Sequence, residues 1–279
     1  MIVISYVAVG AAVGLFGALV GLGGGIFLIP VLSLFMGVPI HTAIAASLVA
    51  VIATSSSSAV GYLRHDLSNI RLGMILEVAT TVGAVVGGLV ATSLNREVLS
   101  GLFGVVLATV GVYMIVKQGK GPPESADVKR GDDSRGRLGG RYHDVRRDED
   151  VVYGVRRVPF GLAASFVAGN LSGLLGIGGG VIKVPAMTLA MGVPPKAAIA
   201  TSNFMIGVTA CASAFIYYSR GYIDPRVVVP VVLGVTAGAF AGSRLTPRLK
   251  SSHLVLALAT VMLLLALQML LAAFGISLR

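Results

Sequence analysis

Six long apolar runs constrain the fold of this 279-residue chain more than any other feature of its sequence. Each run approaches the roughly 20 apolar residues that a helix needs to cross a bilayer. Hydrophobic residues make up 55% of the chain and charged residues only 12%, which exceeds the usual balance of a soluble domain. The sequence therefore predicts an all-α polytopic membrane protein. The runs are residues 2–20, 42–63, 72–94, 98–116, 227–242 and 254–274.

Charged residues concentrate in one central segment. Between Lys117 and Arg157 lie 11 of the 22 lysines and arginines and 8 of the 12 aspartates and glutamates. This mixed-charge, glycine-rich composition cannot bury a core, and it predicts disorder. The chain therefore divides into a first transmembrane repeat (1–117), a charged cytoplasmic linker (118–157) and a second transmembrane repeat (158–279). Because the linker carries both signs of charge, the net charge of +10 does not indicate a nucleic-acid partner.

The two hydrophobic halves repeat one pattern. A shift of 155 residues aligns residues 21–47 with 176–202 without a gap, and 14 of the 27 aligned positions are identical. The shared positions include a GGG tract, a proline five residues after it, an MGVP sequence, and a serine that is Ser47 or Ser202. Such internal repeats are typical of secondary transporters, whose substrate binds near the bilayer midplane between the halves.

The direction of the second half depends on the number of segments in each half. Residues 2–36 would form a helix about 52 Å long, well over the roughly 30 Å of the hydrocarbon core. A break at the glycines gives five segments per half, and this odd number makes the second half inverted. An unbroken helix gives four segments and parallel halves, and the distribution of lysine and arginine favours inversion only slightly. The first segment lacks the basic leading region of a signal peptide, so we expect it to remain in the protein.

The GGG tracts are the first candidate site. Each glycine destabilises a helix by about 1 kcal/mol relative to alanine, so both tracts are predicted to break their helices. Exposed N–H groups at such breaks bind anions, and two related breaks would face one small anion. The alternative is that glycines allow close helix packing, an interpretation that we favour for Gly83, Gly87 and Gly88. The candidate binding residues are Gly23, Gly24, Gly25, Pro30, Gly178, Gly179, Gly180 and Pro185.

One lysine lies inside the second motif. Lys183 stands where the first half has Leu28, and a lysine deep in a membrane is costly unless it pairs, reaches the interface or faces water. We interpret Lys183 as the cationic group of an anion site. The alternatives are that its ammonium reaches the interface or pairs with Glu77. Glu77 is a candidate for proton coupling, and it is equally placed to reach the interface.

Hydroxyl and amide side chains follow each glycine tract. Ser47, Ser202 and Asn203 are candidate donors to the oxygens of an anion. The alternative is that these side chains bond to the backbone of their own helices.

The paired G-x-GGG…P…MGVP…S pattern, in GLGGGIFLIP and GIGGGVIKVP and the residues that follow them, resembles the sulfite exporter TauE/SafE family of membrane permeases. The resemblance covers nearly the whole chain outside the linker. It implies transport of sulfite, thiosulfate, organosulfonates or related small anions. It also implies an asymmetric site, because Leu48 stands where the second half has Asn203. The residues on which it falls are Gly23 to Gly25, Pro30, Ser47, Gly178 to Gly180, Pro185, Ser202 and Asn203.

Motifs narrow the class of function. The chain has no G-x-x-x-x-G-K-[ST] sequence, and its four histidines lack metal-ligand spacing. We therefore expect no enzyme, no cofactor and no metal site. The sequence predicts a secondary transporter in the plasma membrane that exports a small sulfur-containing anion by alternating access between the halves. A passive small-anion channel is the alternative. The expected partners are the anion and the lipid bilayer, and a homo-oligomer is left open.

Overall fold

The computed structural model describes residues 2–20, 25–64, 67–117, 138–144, 149–245 and 251–274. Ten α-helices and two β-strands lie within these ranges. The first half contains α1 (Ile2–Val20), α2 (Gly25–Pro30), α3 (Ile40–Arg64), α4 (Ile70–Ser93) and α5 (Arg96–Lys117). The second half contains α6 (Val158–Leu175), α7 (Gly180–Pro185), α8 (Pro195–Ser219), α9 (Pro225–Leu245) and α10 (Ser251–Ala273). Between the halves lie β1 (Gly140–Asp144) and β2 (Glu149–Tyr153).

The second half repeats the secondary structure of the first. Helices α7, α8, α9 and α10 begin 155 residues after α2, α3, α4 and α5 respectively. A five-residue π-helical turn follows α2 at Val31–Phe35, and another follows α7 at Ala186–Ala190. The sequence repeat is therefore also a repeat of elements, with the same order of helices in each half.

The two halves interleave. Helix α1 packs against α9, α4 against α6, α5 against α10 and α3 against α8, so each of these helices packs against the other half. Helices α5 and α10, which hold equivalent places in the repeats, run antiparallel. A Cβ on Gly104 would lie 2.8 Å from Leu270, and a Cβ on Gly111 would lie 3.0 Å from Leu263. An inverted repeat requires equivalent helices to run in opposite directions; the inversion itself stays a prediction.

Glycines bring α4 and α6 into close contact. A Cβ on Gly83 would lie 2.2 Å from the carbonyl oxygen of Phe166, and one on Gly87 would lie 2.1 Å from that of Asn170. Membrane helices approach this closely only where small residues face each other. The packing interpretation of these two glycines therefore agrees with their contacts.

The outer surface of the helices is apolar. Within the described ranges, five helices are long and apolar enough to cross a membrane: α3, α4, α5, α6 and α8. Large apolar side chains on several helices are more than half exposed, among them Val78, Phe215, Leu233 and Phe240. Lipid covers such a surface, whereas soluble monomers expose only small apolar patches. The prediction of an all-α polytopic membrane protein is confirmed.

Part of the charged linker is folded, which differs from the disorder predicted for residues 118–157. Strands β1 and β2 form an antiparallel hairpin. Tyr142 and Tyr153 are buried and pack in one cluster with Leu72 of α4 and with Met191. The average composition of the linker hides these two aromatic anchors, which is why it predicted disorder throughout. Residues 118–137 and 145–148 lie outside the described residues.

Candidate functional site

The second glycine tract breaks the chain between α6 and α7. Gly176, Gly178 and Gly179 have φ angles of 65°, 78° and 69°. Residues with a Cβ adopt this left-handed conformation only at a cost. Gly179 also has no room for a side chain, because a Cβ there would lie 2.7 Å from the carbonyl oxygen of Ala168. The glycines are therefore required by both the backbone conformation and the packing.

Helix α7 returns along α6 toward the end at which α6 began. Met191, which follows the π-helical turn after α7, lies against Gly161 near the start of α6. The carbonyl oxygen of Met191 also accepts a hydrogen bond from the N–H of Arg156 at 3.0 Å. The predicted break is thus the turn of a helical hairpin, and its glycines Gly178 and Gly179 are buried inside the bundle.

The two prolines shape the returning helices. Pro30 and Pro185 are the last residues of α2 and α7, and a π-helical turn follows each of them. Proline has no N–H and cannot donate the usual i→i−4 bond, so the helix continues with a wider turn. In the second half, the N–H of Met191 donates to the carbonyl oxygen of Ala186 at 3.2 Å. The prolines therefore lie in the returning helices and not at the glycine turn itself.

Ser47 joins the glycine segments of the two halves. Its buried hydroxyl lies 2.9 Å from the carbonyl oxygen of Gly176 and 3.2 Å from that of Gly25. A hydroxyl has one proton, so the two carbonyls share it. The start of α2 and the second break therefore meet inside the bundle. The predicted residues Gly23 and Gly24 lie outside the described residues.

Two buried hydroxyls lie beside the second break. Ser202 and Ser172 are at most 1% exposed, and neither hydroxyl has a hydrogen-bond partner in the part of the chain that the structure describes. The Ser202 oxygen lies 3.4 Å from the place of a Cβ on Gly180, and the Ser172 Cβ lies 3.4 Å from that of Gly179. Both serines can donate to a ligand at the break. Sequence reasoning missed Ser172 because the repeat places a glycine at the equivalent position, Gly17.

Asn203 does not share this arrangement. Its side-chain nitrogen donates to the carbonyl oxygen of Ile199 at 3.1 Å, on its own helix. This is the alternative that the sequence left open for hydroxyl and amide side chains. Successive residues of a helix point about 100° apart, so Ser202 and Asn203 face different directions.

Lys183 forms a buried network with residues of α4 and α8. Its ammonium is 1% exposed, donates to the Thr209 hydroxyl at 2.9 Å and lies 3.7 Å from Glu77 Oε2. The other carboxylate oxygen, Glu77 Oε1, accepts hydrogen bonds from Thr209 at 2.7 Å and from Thr81 at 3.3 Å. Of the alternatives for Lys183, the structure shows the pairing with Glu77. Thr209, the equivalent of Thr54, belongs to the same repeated hydroxyl-bearing segment as Ser202 but is not one of the predicted binding residues.

The glycine break and the charged network share one face of α8. Ser202, Ile206 and Thr209 are spaced i, i+4 and i+7, so they lie along one side of the helix. A Cβ on Gly180 would lie 2.8 Å from Ile206, which places the break against this side. Ser202 and Thr209 are about 10 Å apart along the helix axis. The unpartnered Ser202 hydroxyl and the Lys183 network therefore lie along the same side of α8.

The equivalent place elsewhere in the bundle, formed by α2 and α3 of the first half and α9 of the second, has no such charge. The repeat puts Leu28, Thr54 and Val232 where Lys183, Thr209 and Glu77 stand. Leu28 is fully buried, and Val232 packs against the apolar core. The network is therefore the main asymmetry between two otherwise similar halves. Within the described ranges, no group of three or more His, Cys, Asp or Glu side chains is placed to hold a metal ion.

Comparison with known proteins identifies relatives over most of the chain. The model of the sulfite exporter TauE/SafE family matches residues 6–269. YunE of Bacillus subtilis, described as a probable membrane transporter protein, is 28% identical over 270 residues, which cover 94% of this chain and 95% of the relative. The probable membrane transporter protein MJ0441 of Methanocaldococcus jannaschii is 24% identical over 280 residues, covering 95% and 94%. Sulfite exporter TauE/SafE family protein 6 of Arabidopsis thaliana is 32% identical over 116 residues, covering 40% and 27%. No solved structure matches the chain significantly.

Proposed function

Because the chain belongs to the sulfite exporter TauE/SafE family of membrane transporters, we propose that it is a secondary transporter that exports a small sulfur-containing anion. Sulfite, thiosulfate and organosulfonates are the proposed substrates. The protein acts in the plasma membrane, with residues 118–157 on the cytoplasmic side. The family is one of transporters and not of enzymes.

The observation that carries this proposal is the bond from Ser47 to both glycine segments. A hydroxyl of α3 contacts Gly25 in its own half and Gly176 in the other half, deep inside the bundle. Movement of the first half as a unit against the second must change the contact between Ser47 and Gly176. This contact between the two repeats supports a site between the halves, as alternating access requires.

The donors around the break favour an oxyanion. Sulfur oxyanions accept hydrogen bonds through several oxygens, and bonds from an ionised donor are roughly twice as strong as neutral ones. Ser172 and Ser202 offer two buried hydroxyls. The Lys183 ammonium, from α7, contacts Thr209 on the face of α8 that also carries Ser202. In this proposal the hydroxyls hold the anion at the break and Lys183 provides the attraction of charge.

The test measures flux in liposomes that contain the purified protein. Uptake of sulfite, thiosulfate, sulfate and chloride is compared for the wild type and for Lys183→Ala, Lys183→Arg and Ser202→Ala. Lys196→Ala is the matched control, because Lys196 is exposed at the start of α8. We expect saturable flux of sulfite or thiosulfate that Lys183→Ala abolishes, that Lys183→Arg partly restores, and that the control leaves unchanged.

Counterflow separates a carrier from a channel. Liposomes preloaded with unlabelled anion accumulate labelled anion transiently if a carrier exchanges the two, whereas a channel gives no such overshoot. Absence of counterflow with intact flux would replace the carrier by the passive anion channel. Absence of flux for every sulfur anion would contradict the proposed substrates.

A further inference from the structure

Only one of the two carboxylate oxygens of Glu77 accepts hydrogen bonds from the described residues. Its Oε1 accepts two hydrogen bonds from threonines, but its buried Oε2 has no hydrogen-bond partner in the part of the chain that the structure describes. The Lys183 ammonium lies 3.7 Å from Oε2, which is beyond hydrogen-bond distance. Its hydrogen bond goes instead to Thr209. Glu77 Oε2 is therefore a buried oxygen that is free to take a proton.

Lys183 is the charge that balances Glu77. Helix α6, which packs against α4, carries no ionisable side chain, and the other charged residue of α4 is Arg71 in its exposed first turn. Helix α8 presents the Thr209 hydroxyl to Glu77. The ionisable side chains of α8 are Lys196, Cys211, Tyr217 and Tyr218, and none of them contacts Glu77 among the described interactions.

The Thr209 hydroxyl has two acceptors within reach. It lies 2.7 Å from Glu77 Oε1 and 2.9 Å from the carbonyl oxygen of Met205. A hydroxyl donates one proton at a time, so Thr209 bonds to either oxygen without moving. It also accepts from Lys183 in either state. The network therefore has two hydrogen-bonding arrangements that differ only in the proton of Thr209.

We propose that Glu77 binds one proton for each anion that binds at Lys183, so that the transporter carries the anion and the proton together. This inference rests on the proposed function. An anion at the ammonium replaces Glu77 as its counter-charge and would leave a second negative charge buried, which is costly. A proton from the aqueous side to which the site is open binds Oε2 and removes that charge. Thr209 then donates to Met205, and both ligands leave together on the other side.

The repeat sets the stoichiometry at one proton. Leu28 and Thr54 of the first half and Val232 of the second occupy the equivalent places, so the repeat provides no second carboxylate for a proton there. With a monovalent anion, the cycle moves no net charge across the membrane. Net flux then follows the product of the anion and proton concentrations on each side. If the outside is more acidic by one pH unit, export needs about tenfold more anion inside than outside.

The test uses anions that stay ionised near neutral pH, namely thiosulfate and 2-hydroxyethanesulfonate, so that the protein binds every proton that moves. Liposomes containing the full-length protein enclose a pH-sensitive dye, and a potassium ionophore holds the membrane potential at zero. With the outside more acidic by one unit, we expect the wild type to accumulate labelled anion about tenfold. Glu77→Gln should keep counterflow and lose this accumulation. Glu97→Gln, the same change at an exposed position in the first turn of α5, should behave as the wild type.

The dye gives a second readout that needs no variant. It should report one proton for each anion that the wild type moves, which decides the question even if Glu77→Gln does not fold. Anion flux without proton movement, or undiminished accumulation in Glu77→Gln, would overturn the coupling and leave the proposed transport intact. Failure of the wild type to move any sulfur anion would instead overturn the proposed function, and the coupling with it.

Discussion

At the scale of single residues, Lys183 and Glu77 form a buried ion pair, and burying its two charges costs free energy. Taking each ion out of water costs several kcal/mol, and the mutual attraction of the pair repays this only partly unless the geometry is excellent. The gap of 3.7 Å between Nζ and Oε2 is not excellent geometry. The equivalent places of the repeat hold Leu28 of the first half and Val232 of the second, which pack without charge. The charges therefore indicate a functional role rather than a structural one.

This view predicts that an apolar pair can replace the charged one. Lys183→Leu alone leaves Glu77 buried without its counter-charge, so it should destabilise the protein by about 3 to 5 kcal/mol. The double variant Lys183→Leu/Glu77→Val copies the equivalent pair, Leu28 and Val232, and should recover most of that loss. Thermal unfolding in detergent measures both variants, with Lys196→Leu as the exposed control. A double variant no more stable than the single one would show that the ion pair is required for folding.

At the scale of elements, the hairpin of α6 and α7 depends on its glycine turn. Gly179 and Gly37 have similar backbone conformations, with φ of 69° and 66°. Their surroundings differ, because a Cβ on Gly179 would lie 2.7 Å from a backbone carbonyl oxygen whereas one on Gly37 would meet nothing within 4 Å. A comparison of alanine variants at these two glycines therefore separates the cost of backbone strain from the cost of missing space for a side chain.

Alanine at these two glycines should give unequal results. Gly37→Ala has only the left-handed backbone to accommodate, at about 1 to 2 kcal/mol. Gly179→Ala must also push α6 and α7 apart, so it should lower the melting temperature further and abolish anion flux. Melting temperature and liposome flux are measured for both variants. Equal losses in the two would mean that the tight contact with Ala168 does not matter.

At the scale of the whole molecule, the halves hold each other in place. Helices α1 and α9 form one interface, α4 and α6 form its counterpart, and α5 and α10 run antiparallel. A two-fold relation between inverted repeats produces this arrangement. The inverted arrangement predicts that the loop after α8 lies on the side of the membrane opposite to the linker.

Labelling of single cysteines tests the inversion. In a Cys211→Ser background, Arg220→Cys after α8 should react with a membrane-impermeant maleimide added to intact cells, as should Asn95→Cys before α5. Val152→Cys in the linker hairpin should react only after the cells are opened. All three positions are exposed. Parallel halves would instead shield Arg220→Cys in intact cells, while the two controls would behave the same in either arrangement.

The candidate site was predicted in part. The motif spacing identified the glycine tracts, Ser47, Ser202 and Lys183, because duplication marks positions that both halves need and makes a single departure from the repeat visible. Asn203 donates to the backbone of its own helix, which is the alternative that the sequence left open, since a sequence does not show which neighbour faces the site. Ser172 carries no repeat signal. The pairing of Lys183 with Glu77 joins helices of different halves, so only their packing could decide between the alternatives.

The sequence by itself determined the helical class, the bilayer as solvent and the duplicated, glycine-interrupted order of elements. These follow from local composition, from residue spacing and from the cost of glycine in a helix. The tertiary structure decided which helices pack together, that α7 folds back along α6, and that a hairpin in the linker docks through two tyrosines. It also brought the Ser47 hydroxyl to carbonyls of both halves. The contact between Ser47 and Gly176 joins residues 129 positions apart. Local pattern cannot specify tertiary contacts of this kind because they depend on how whole surfaces fit.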